Sequence, residues 1–402
     1  MRILFDARGV QRHSDGMSHY VRQLLLHLLA LDGPQEYVVL LREPFLRELE
    51  RRGVSPRPNL HPVVTDEPFM GWRQQLGLRR LIRRLPPVSL YHYPHFDLPL
   101  FAHPRSIVTV FDLNQFHLPG YYHSLGPVKR LYGFLSTRAS VAKAEHVLTI
   151  SQASRQLLLQ RFPALPSDRV TVTHLGLSEA FGAAPSAASV SAFRERHRLG
   201  ADRFLLYVGT DRPHKNLNRV LAAFARLRHS CTIPHRLLLV GSSTGDGSVP
   251  RAIRSLGLDD AVARIDHVPD EELPAAYRAA EALVFCSLSE GFGMPLIEAM
   301  ASELPIVTSN LSAMQEIAGT AAILVDPRSV ESIAKGMWQV ISRDALRKQL
   351  IERGQDRVRA FTWDAAARAT LEVYRQVGAA ASTSDGAIEP VRAAEPVAAM
   401  ER

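Results

Sequence analysis

Two carboxylates, Glu290 and Glu298, stand eight positions apart across the turn Glu290-Gly291-Phe292-Gly293-Met294-Pro295. Ahead of the turn, the apolar run Ala282-Leu283-Val284-Phe285-Cys286 reads as a buried strand. Behind it, Leu296-Ile297-Glu298-Ala299-Met300-Ala301 reads as a helix, and Pro295 suits the first position, where no backbone N–H is needed. Two glycines in so short a strand-to-helix turn leave the backbone free to bend and let a ligand come close. The unpaired N–H groups and positive dipole end of the helix make an anion cradle. A phosphate cradle flanked by carboxylates fits a ligand that carries both phosphate and hydroxyl groups. The same turn would also serve as packing geometry, so the spacing alone leaves both readings open.

A second group of chemistry-bearing residues lies in Gly209-Thr210-Asp211-Arg212-Pro213-His214-Lys215-Asn216, after one strand-like run and before a helix over 217–227. A strand-end loop with two cations, Arg212 and Lys215, holds a diphosphate by charge-assisted hydrogen bonds. The plain alternative is two solvated loop charges.

The Glu290 turn and its surroundings resemble the Glu-x7-Glu signature of the family 4 retaining glycosyltransferases, of the bacterial mannosyltransferase-like type. The resemblance begins at Val268-Pro269-Asp270-Glu271-Glu272-Leu273-Pro274 and passes Tyr277-Arg278-Ala279-Ala280. It continues through Leu304-Pro305-Ile306-Val307-Thr308-Ser309-Asn310 to Glu316-Ile317-Ala318-Gly319 and Ala322-Ile323-Leu324-Val325-Asp326-Pro327. It implies an α/β protein of the GT-B fold, two Rossmann-like domains facing across a cleft, with the last helix returning to the first domain. It also implies retaining transfer of a hexose from a nucleotide-diphosphate sugar, GDP-mannose-like or a UDP-sugar. The acceptor would be a glycan or a lipid-linked molecule in surface polysaccharide synthesis.

By the same resemblance Glu290 contacts hydroxyls of the donor sugar and Glu298 the nucleotide ribose. Lys215 stabilises the donor pyrophosphate. Its usual Arg partner follows the glycine directly; Thr210 stands there, and Arg212, two positions on, is the substitute. In Asp15-Gly16-Met17-Ser18-His19-Tyr20, Gly16 matches the glycine that brings backbone N–H groups to the diphosphate from the opposite domain; the plain alternative is a turn glycine. Gly209, Gly291 and the helix start at Phe292, Gly293 and Met294 complete the expected donor contacts. Cys286 stands where the family often has Pro, and Glu303 where it usually has Gly. Cations and helix N–H groups aimed at the departing diphosphate would take the place of a metal. No Asp-x-Asp run is present, and no cofactor is expected beyond the sugar nucleotide itself.

One family feature is missing. Tyr91-His92-Tyr93-Pro94-His95-Phe96-Asp97-Leu98-Pro99 resembles a further family block, but Phe111 replaces the His of the His-Asp-Leu that many relatives carry before Asp112 and Leu113. His92, His95 and His117 are candidates for that imidazole, and each is equally a structural histidine. Residues 71–85 set Arg73, Arg79, Arg80, Arg83 and Arg84 against Leu78, Leu81, Ile82 and Leu85 on one helical face. Such a helix either lies on an anionic bilayer or packs its leucine face on its own domain.

The elements that would position these groups form two series. Ile3-Leu4-Phe5, Tyr37-Val38-Val39-Leu40-Leu41, Ser106-Ile107-Val108-Thr109-Val110-Phe111 and His146-Val147-Leu148-Thr149-Ile150 alternate with helical stretches such as 19–31. That alternation predicts a mostly parallel sheet. A second series opens with Phe204-Leu205-Leu206-Tyr207-Val208-Gly209 and Arg236-Leu237-Leu238-Leu239-Val240-Gly241, and glycine just after a parallel strand marks a ligand crevice. No Gly-x-Gly-x-x-Gly follows either run, against a dehydrogenase. The expected division is an acceptor-side domain at 1–178, an Ala/Ser-rich linker at 179–200 and a sugar-nucleotide domain at 201–361. A return helix at 362–378 and a disordered tail at 379–402 complete it.

Of the 402 residues, 46% are hydrophobic and 22% charged, as in ordinary globular domains. Residues 1–178 carry 22 Lys and Arg against 13 Asp and Glu, a net +9, whereas the remainder carries a net −1. The basic half favours an anionic partner, either a lipid surface or a pyrophosphate-bearing acceptor. Two cysteines, Cys231 and Cys286, form no disulfide framework and suggest a reducing compartment. The first apolar run is too short for a signal peptide, and none is long enough to span a bilayer. A cytoplasmic protein is expected, its basic half able to sit on the inner membrane face. Two other classes compete: a GT-B-like nucleotide-sugar epimerase or phosphorylase, and a basic nucleic-acid-binding protein, permitted by a pI near 9.7. The arginines are not interleaved with stacking aromatics, so no nucleic-acid partner is expected.

Overall fold

A computed structural model of the chain describes residues 1–10, 16–99, 103, 105–113, 127–241 and 247–384. Asp15, His117 and residues 385–402 lie outside them. The first sheet contains β1 (Arg2–Asp6), β2 (Glu36–Leu41), β3 (Leu60–Val64), β4 (Leu90–Tyr93), β5 (Ser106–Val110), β6 (His146–Thr149) and β7 (Val170–Val172). The second contains β8 (Arg203–Val208), β9 (His235–Val240), β10 (Val262–Ile265), β11 (Ala282–Phe285), β12 (Ile306–Ser309) and β13 (Ala322–Val325).

Both sheets are parallel and share one winding. The first runs β3-β2-β1-β4-β5-β6-β7 and the second β10-β9-β8-β11-β12-β13. This is the doubly wound order, in which the chain reverses direction between two central strands and opens a crevice at their C-terminal ends. The reversal falls between β1 and β4 in the first sheet and between β8 and β11 in the second. The apolar runs expected as strands all form strands. They read as continuous apolar runs because helices cover both faces: Phe204, Leu205, Leu206 and Tyr207 of β8 are all buried. β3 escaped the sequence reading because it is an edge strand whose Pro62 needs no ladder partner on its open side.

One apolar core runs through both domains, from Phe5 and Leu24 to Phe285, Phe292, Trp363 and Tyr374. The outer faces of the two sheets have cores of their own. The helix Trp363–Ser384 returns to the first domain. It packs on the helix Gly16–Ala30, and Tyr374 pairs its hydroxyl with His92 Nδ1 at 2.6 Å. Two chain crossings run side by side there: Leu177 N–H donates to Phe361 O at 3.0 Å.

Two expectations need correction, and one open alternative is decided for the leucine face. The stretch 179–200 is not a featureless linker. It forms a 3-10 turn, Glu179–Phe181, and a helix, Ala187–Arg196, capped by Ser186 and seated by buried Phe193. Its small residues mimic linker composition, but Phe181 and Phe193 supply enough apolar surface to fold it down. The return helix continues to Ser384, past the expected tail boundary at 379. The basic segment forms the helix Trp72–Ile82, and its leucine face turns inward, with Leu78 buried and Leu81, Ile82 and Leu85 packed beside it. Arg79, Arg80, Arg83 and Arg84 point outward and are exposed.

Candidate active site

The loop after β8 closes into the 3-10 turn Pro213–Lys215, which ends on Asn216 in the left-handed region at φ 63°. The Asn216 side-chain amide donates to Cys286 O at 2.9 Å and to Pro327 O at 2.7 Å. One buried amide thus stitches together the loops after β8, β11 and β13. Leu288 N–H donates to His214 O at 2.7 Å, tying the same turn to the loop after β11. These bonds aim Lys215 across the crevice, where its Nζ lies 2.8 Å from Glu290 Oε1 and 5.2 Å from the Phe285 ring centre. Gly209 and Thr210 line this loop, and Tyr207 fixes it by donating its hydroxyl to Thr210 O at 2.9 Å. Burial, with the Glu290 and Asp211 charges beside it, pushes the Tyr207 phenol well up, so it remains a donor.

Glu290 is held by its backbone. Ser312 Oγ donates to Glu290 O at 2.7 Å and accepts Glu290 N–H at 3.3 Å. Ser312 does this at φ 57°, ψ −147°, a conformation nearly reserved for glycine. The turn then passes against the first domain. A Cβ at Gly291 would lie 2.4 Å from Phe111 O, so no side chain fits. Gly293 caps the helix Met294–Ala301 at φ 109°, and Pro295 takes the second helical position rather than the first. The Phe292 side chain is buried edge-on against Phe361 at 5.6 Å, so it builds the turn from below and presents only backbone to a ligand.

Glu298, one turn into that helix, is buried. Tyr277 donates its hydroxyl to Glu298 Oε2 at 2.5 Å, and Phe181 packs edge-on against Tyr277 at 5.3 Å. The stretch taken for a linker therefore buttresses the carboxylate. Burial pushes the Glu298 carboxyl up to about 7, with Asp270 adding to the rise; the Tyr277 bond and Lys215 oppose it. It is poised to gain from hydroxyl donors that favour its charged form.

Other candidates stand apart. Arg212 is exposed, and its part in the turn is a backbone one: its carbonyl accepts the Lys215 N–H at 2.9 Å. Gly16 opens its helix, exposed, with no atom of the described residues within 4 Å of a side chain built there. His92 is fully buried and uses both ring nitrogens, on Tyr374 and on Thr109 Oγ1 at 2.9 Å. Burial drives its pKa down to about 3 and it is a structural link between sheet and return helix. His95 has Nδ1 on Asp97 Oδ1 at 2.7 Å. Phe111 packs edge-on against Tyr20 at 4.9 Å. Glu303 holds φ 55°, the left-handed position after a helix that favours glycine, and its carboxylate pairs with Arg278 at 2.7 Å. Sequence reading did not single out Asn216, Ser312 or the Tyr277–Glu298 bond; an Asn before a helix and a Ser opening one were the available signals.

Two doubly wound domains of this order are those of the GT-B fold. Residues 14–181 match the model of Glycosyltransferase Family 4, and residues 190–357 that of Glycosyl transferases group 1. The chain is 31% identical over 391 residues to the O-antigen chain mannosyltransferase B of Escherichia coli, covering 93% of this chain and all of that one. It is 31% identical to the MMP alpha-(1->4)-mannosyltransferase of Mycolicibacterium hassiacum over 62% of this chain and 58% of that one. Among solved structures, the sucrose-phosphate synthase of Thermosynechococcus elongatus superposes with a TM-score of 0.73 at 21% identity, covering 94% and 99% of the two chains. Anabaena HepE in complex with UDP-glucose gives 0.69 at 17%, covering 95% and 100%. The chain belongs to the family 4 glycosyltransferases, and it is an enzyme of the mannosyltransferase-like type.

Proposed function

We propose that this enzyme moves a hexose, with retention of anomeric configuration, from a nucleotide-diphosphate sugar to a glycan or lipid-linked acceptor in surface polysaccharide synthesis. The Lys215–Glu290 pair at the crevice between β8 and β11 carries the reading. It sets a cation for the diphosphate beside a carboxylate for the sugar, beyond the C-terminal ends of the two central strands of the second sheet, where the turn at Gly291 meets the first domain. The mannosyltransferase names of the relatives favour mannose as the hexose moved, with a GDP-mannose-like donor or a UDP-sugar as its source.

In this reading the nucleotide ribose bonds Glu298, and the diphosphate lies between Lys215 and the N–H groups at Gly293 and Met294. Arg212 and Gly16 reach it on donor binding. As the anomeric bond breaks, negative charge gathers on the diphosphate, where preorganised cations and N–H groups stabilise it without a metal. The acceptor hydroxyl attacks on the face that the diphosphate leaves. Glu290 orients the sugar hydroxyls and is not a nucleophile. The basic first domain, with Arg79, Arg80, Arg83 and Arg84 outward, sits on anionic lipid and meets a lipid-linked acceptor.

The test is a thermal-shift screen of GDP, UDP, GDP-mannose and UDP-glucose with and without excess chelator. Product anomer is then assigned by NMR with the donor that binds. A ligand at one hundred times its dissociation constant stabilises by about 2.7 kcal/mol. Absence of any shift, loss of transfer on chelation that added metal restores, or an inverted product would each overturn the corresponding part.

A further inference from the structure

Glu316 belongs to the second domain, in the short helix Ala313–Ala318, but its carboxylate is spent on the first. Oε1 accepts the Gln152 N–H at 2.8 Å and lies 2.8 Å from His174 Nε2, and Oε2 accepts the Ala153 N–H at 2.9 Å. Gln152 and Ala153 open the helix Gln152–Arg161, and Ser151 caps the next free N–H, that of Ser154. One side chain from across the domain boundary thus completes the N-terminus of that helix. The same helical turn also holds the donor loop: Ser154 Oγ donates to Phe111 O at 3.0 Å and lies 3.4 Å from Gly291 O.

The segment carrying Glu316 reaches the site from its other end. Ser312 grips both backbone groups of Glu290, and Met314 fills the space that a side chain at Gly293 would need. Arg357 locks the segment to its own domain, donating to Glu316 O at 2.8 Å and to Ile317 O at 3.2 Å. Within five residues the chain therefore touches Glu290, the cap of the donor helix and the first domain.

We infer that Glu316 is a positioning residue: it anchors the second domain on the first and, through the rigid segment 312–316, sets where Glu290 stands relative to the first domain. The inference rests on the reading of Glu290 as the carboxylate that holds the transferred sugar.

Hydrogen exchange by mass spectrometry on the full chain tests it, with Glu316→Gln and Ser312→Gly compared with wild type. In Glu316→Gln, exchange at the Gln152 and Ala153 amides rises about tenfold or more, and exchange across 290–294 rises with it, while β11 stays protected. Ser312→Gly suits the positive φ and keeps the fold; it loosens 290–294 and leaves 152–153 unchanged. In both variants GDP and UDP affinities stay within about twofold, while release of nucleoside diphosphate from GDP-mannose or UDP-glucose falls about tenfold or more. Loosening at 152–153 with 290–294 and turnover unchanged would overturn the coupling. So would general loosening of the core strands in Glu316→Gln with Ser312→Gly silent. If Glu290→Gln proves silent in turnover while Glu316→Gln still loosens both segments, the anchor stands and the sugar-holding reading fails.

Discussion

The two sheets reverse their winding in the same way, yet the crevices at the two reversals are built to opposite ends. At the first, Arg8 grips Asp6 with Nε at 2.9 Å and Nη2 at 2.7 Å and donates Nη1 to Pro68 O at 2.8 Å. Tyr91 adds its hydroxyl to Asp6 Oδ2 at 2.6 Å, and both charged side chains are wholly buried. Arg8 and Asp6 are spent on one another and on their neighbours. At the second, Lys215 and Glu290 meet through one contact and remain 20% and 12% exposed. A lysine has three donors and a carboxylate several acceptor sites, so that pair keeps capacity for a ligand. A closed ion pair holds a loop in place, whereas an open one at the same topological position can bind.

The largest effect should come from breaking the closed pair. Asp6→Asn leaves a buried guanidinium without its counter-charge, which costs about 3–5 kcal/mol. Urea denaturation reads it, and the folded fraction should bind nucleotide as wild type does. A loss under about 1 kcal/mol would mean that the pair is no more than a surface contact.

Opening the second pair should do the reverse. Glu290→Gln should lower turnover roughly 100- to 1000-fold, or about 2.7–4 kcal/mol in the barrier, by removing a charged acceptor that acts in the transition state. Stability should fall less than in Asp6→Asn, because the new amide oxygen still accepts from Lys215, and nucleoside diphosphate should still bind. Turnover near wild type refutes the sugar-holding role. Loss of both turnover and nucleotide binding would show that the turn itself had collapsed.

Next in size is Glu298. Glu298→Ala should weaken the bare nucleoside diphosphate by roughly 1.5–3 kcal/mol, the worth of a charge-assisted bond. Because ribose hydroxyls favour the ionised carboxylate, affinity should rise with pH through about 7, the value to which burial lifts the group. Glu298→Gln should lose that step while keeping whatever the diphosphate's own ionisation contributes. Without nucleotide the sign is opposite. The folded chain holds this proton to higher pH than the unfolded one, so its stabilising share is full below the ordinary value of 4.5 and is lost as pH rises through about 7. Identical titration curves for wild type and Glu298→Gln would remove the ribose assignment.

The smallest effect per residue lies at the surface. Changing Arg79, Arg80, Arg83 and Arg84 to Gln should cost about 1 kcal/mol of anionic-vesicle binding for each charge near the lipid, screened by salt. Donor binding should not move. Equal sedimentation of both proteins with the vesicles would end the membrane proposal.

Much of this was legible in the chain. Apolar runs such as 204–208 mark buried strands because a parallel sheet covered on both faces leaves no polar side. Gly291 and Gly293 announced a tight turn because no other residue type fits that backbone so well. Lys215, Glu290 and Glu298 were singled out by type and spacing. Other readings went astray for physical reasons. Composition made 179–200 look like a linker, because two buried phenylalanines in a small-residue stretch carry little periodic signal. His92 and His95 looked equally chemical, because rings committed to Tyr374 and Thr109 or to Asp97 differ from an available one only in their surroundings.

The sequence by itself determined the local facts: which segments bury themselves, where the chain must turn through glycine, and which ionisable groups lie at strand ends. These depend on neighbours within a few positions, where periodicity and backbone sterics operate. Only the tertiary structure decided which charges are consumed and which stay available. Asp6 and Glu290 are both carboxylates beyond a strand-like apolar run, and although the glycine turn after Glu290 marks it, nothing local gives the burial of either or the partners that reach it from far along the chain. One meets Arg8 and Tyr91 in a dry interior. The other meets Lys215 from 75 positions away and is pinned by Ser312 from 22 away. Burial and partner count are properties of the folded surroundings, and they fix the charge state and spare bonding capacity on which the chemistry depends.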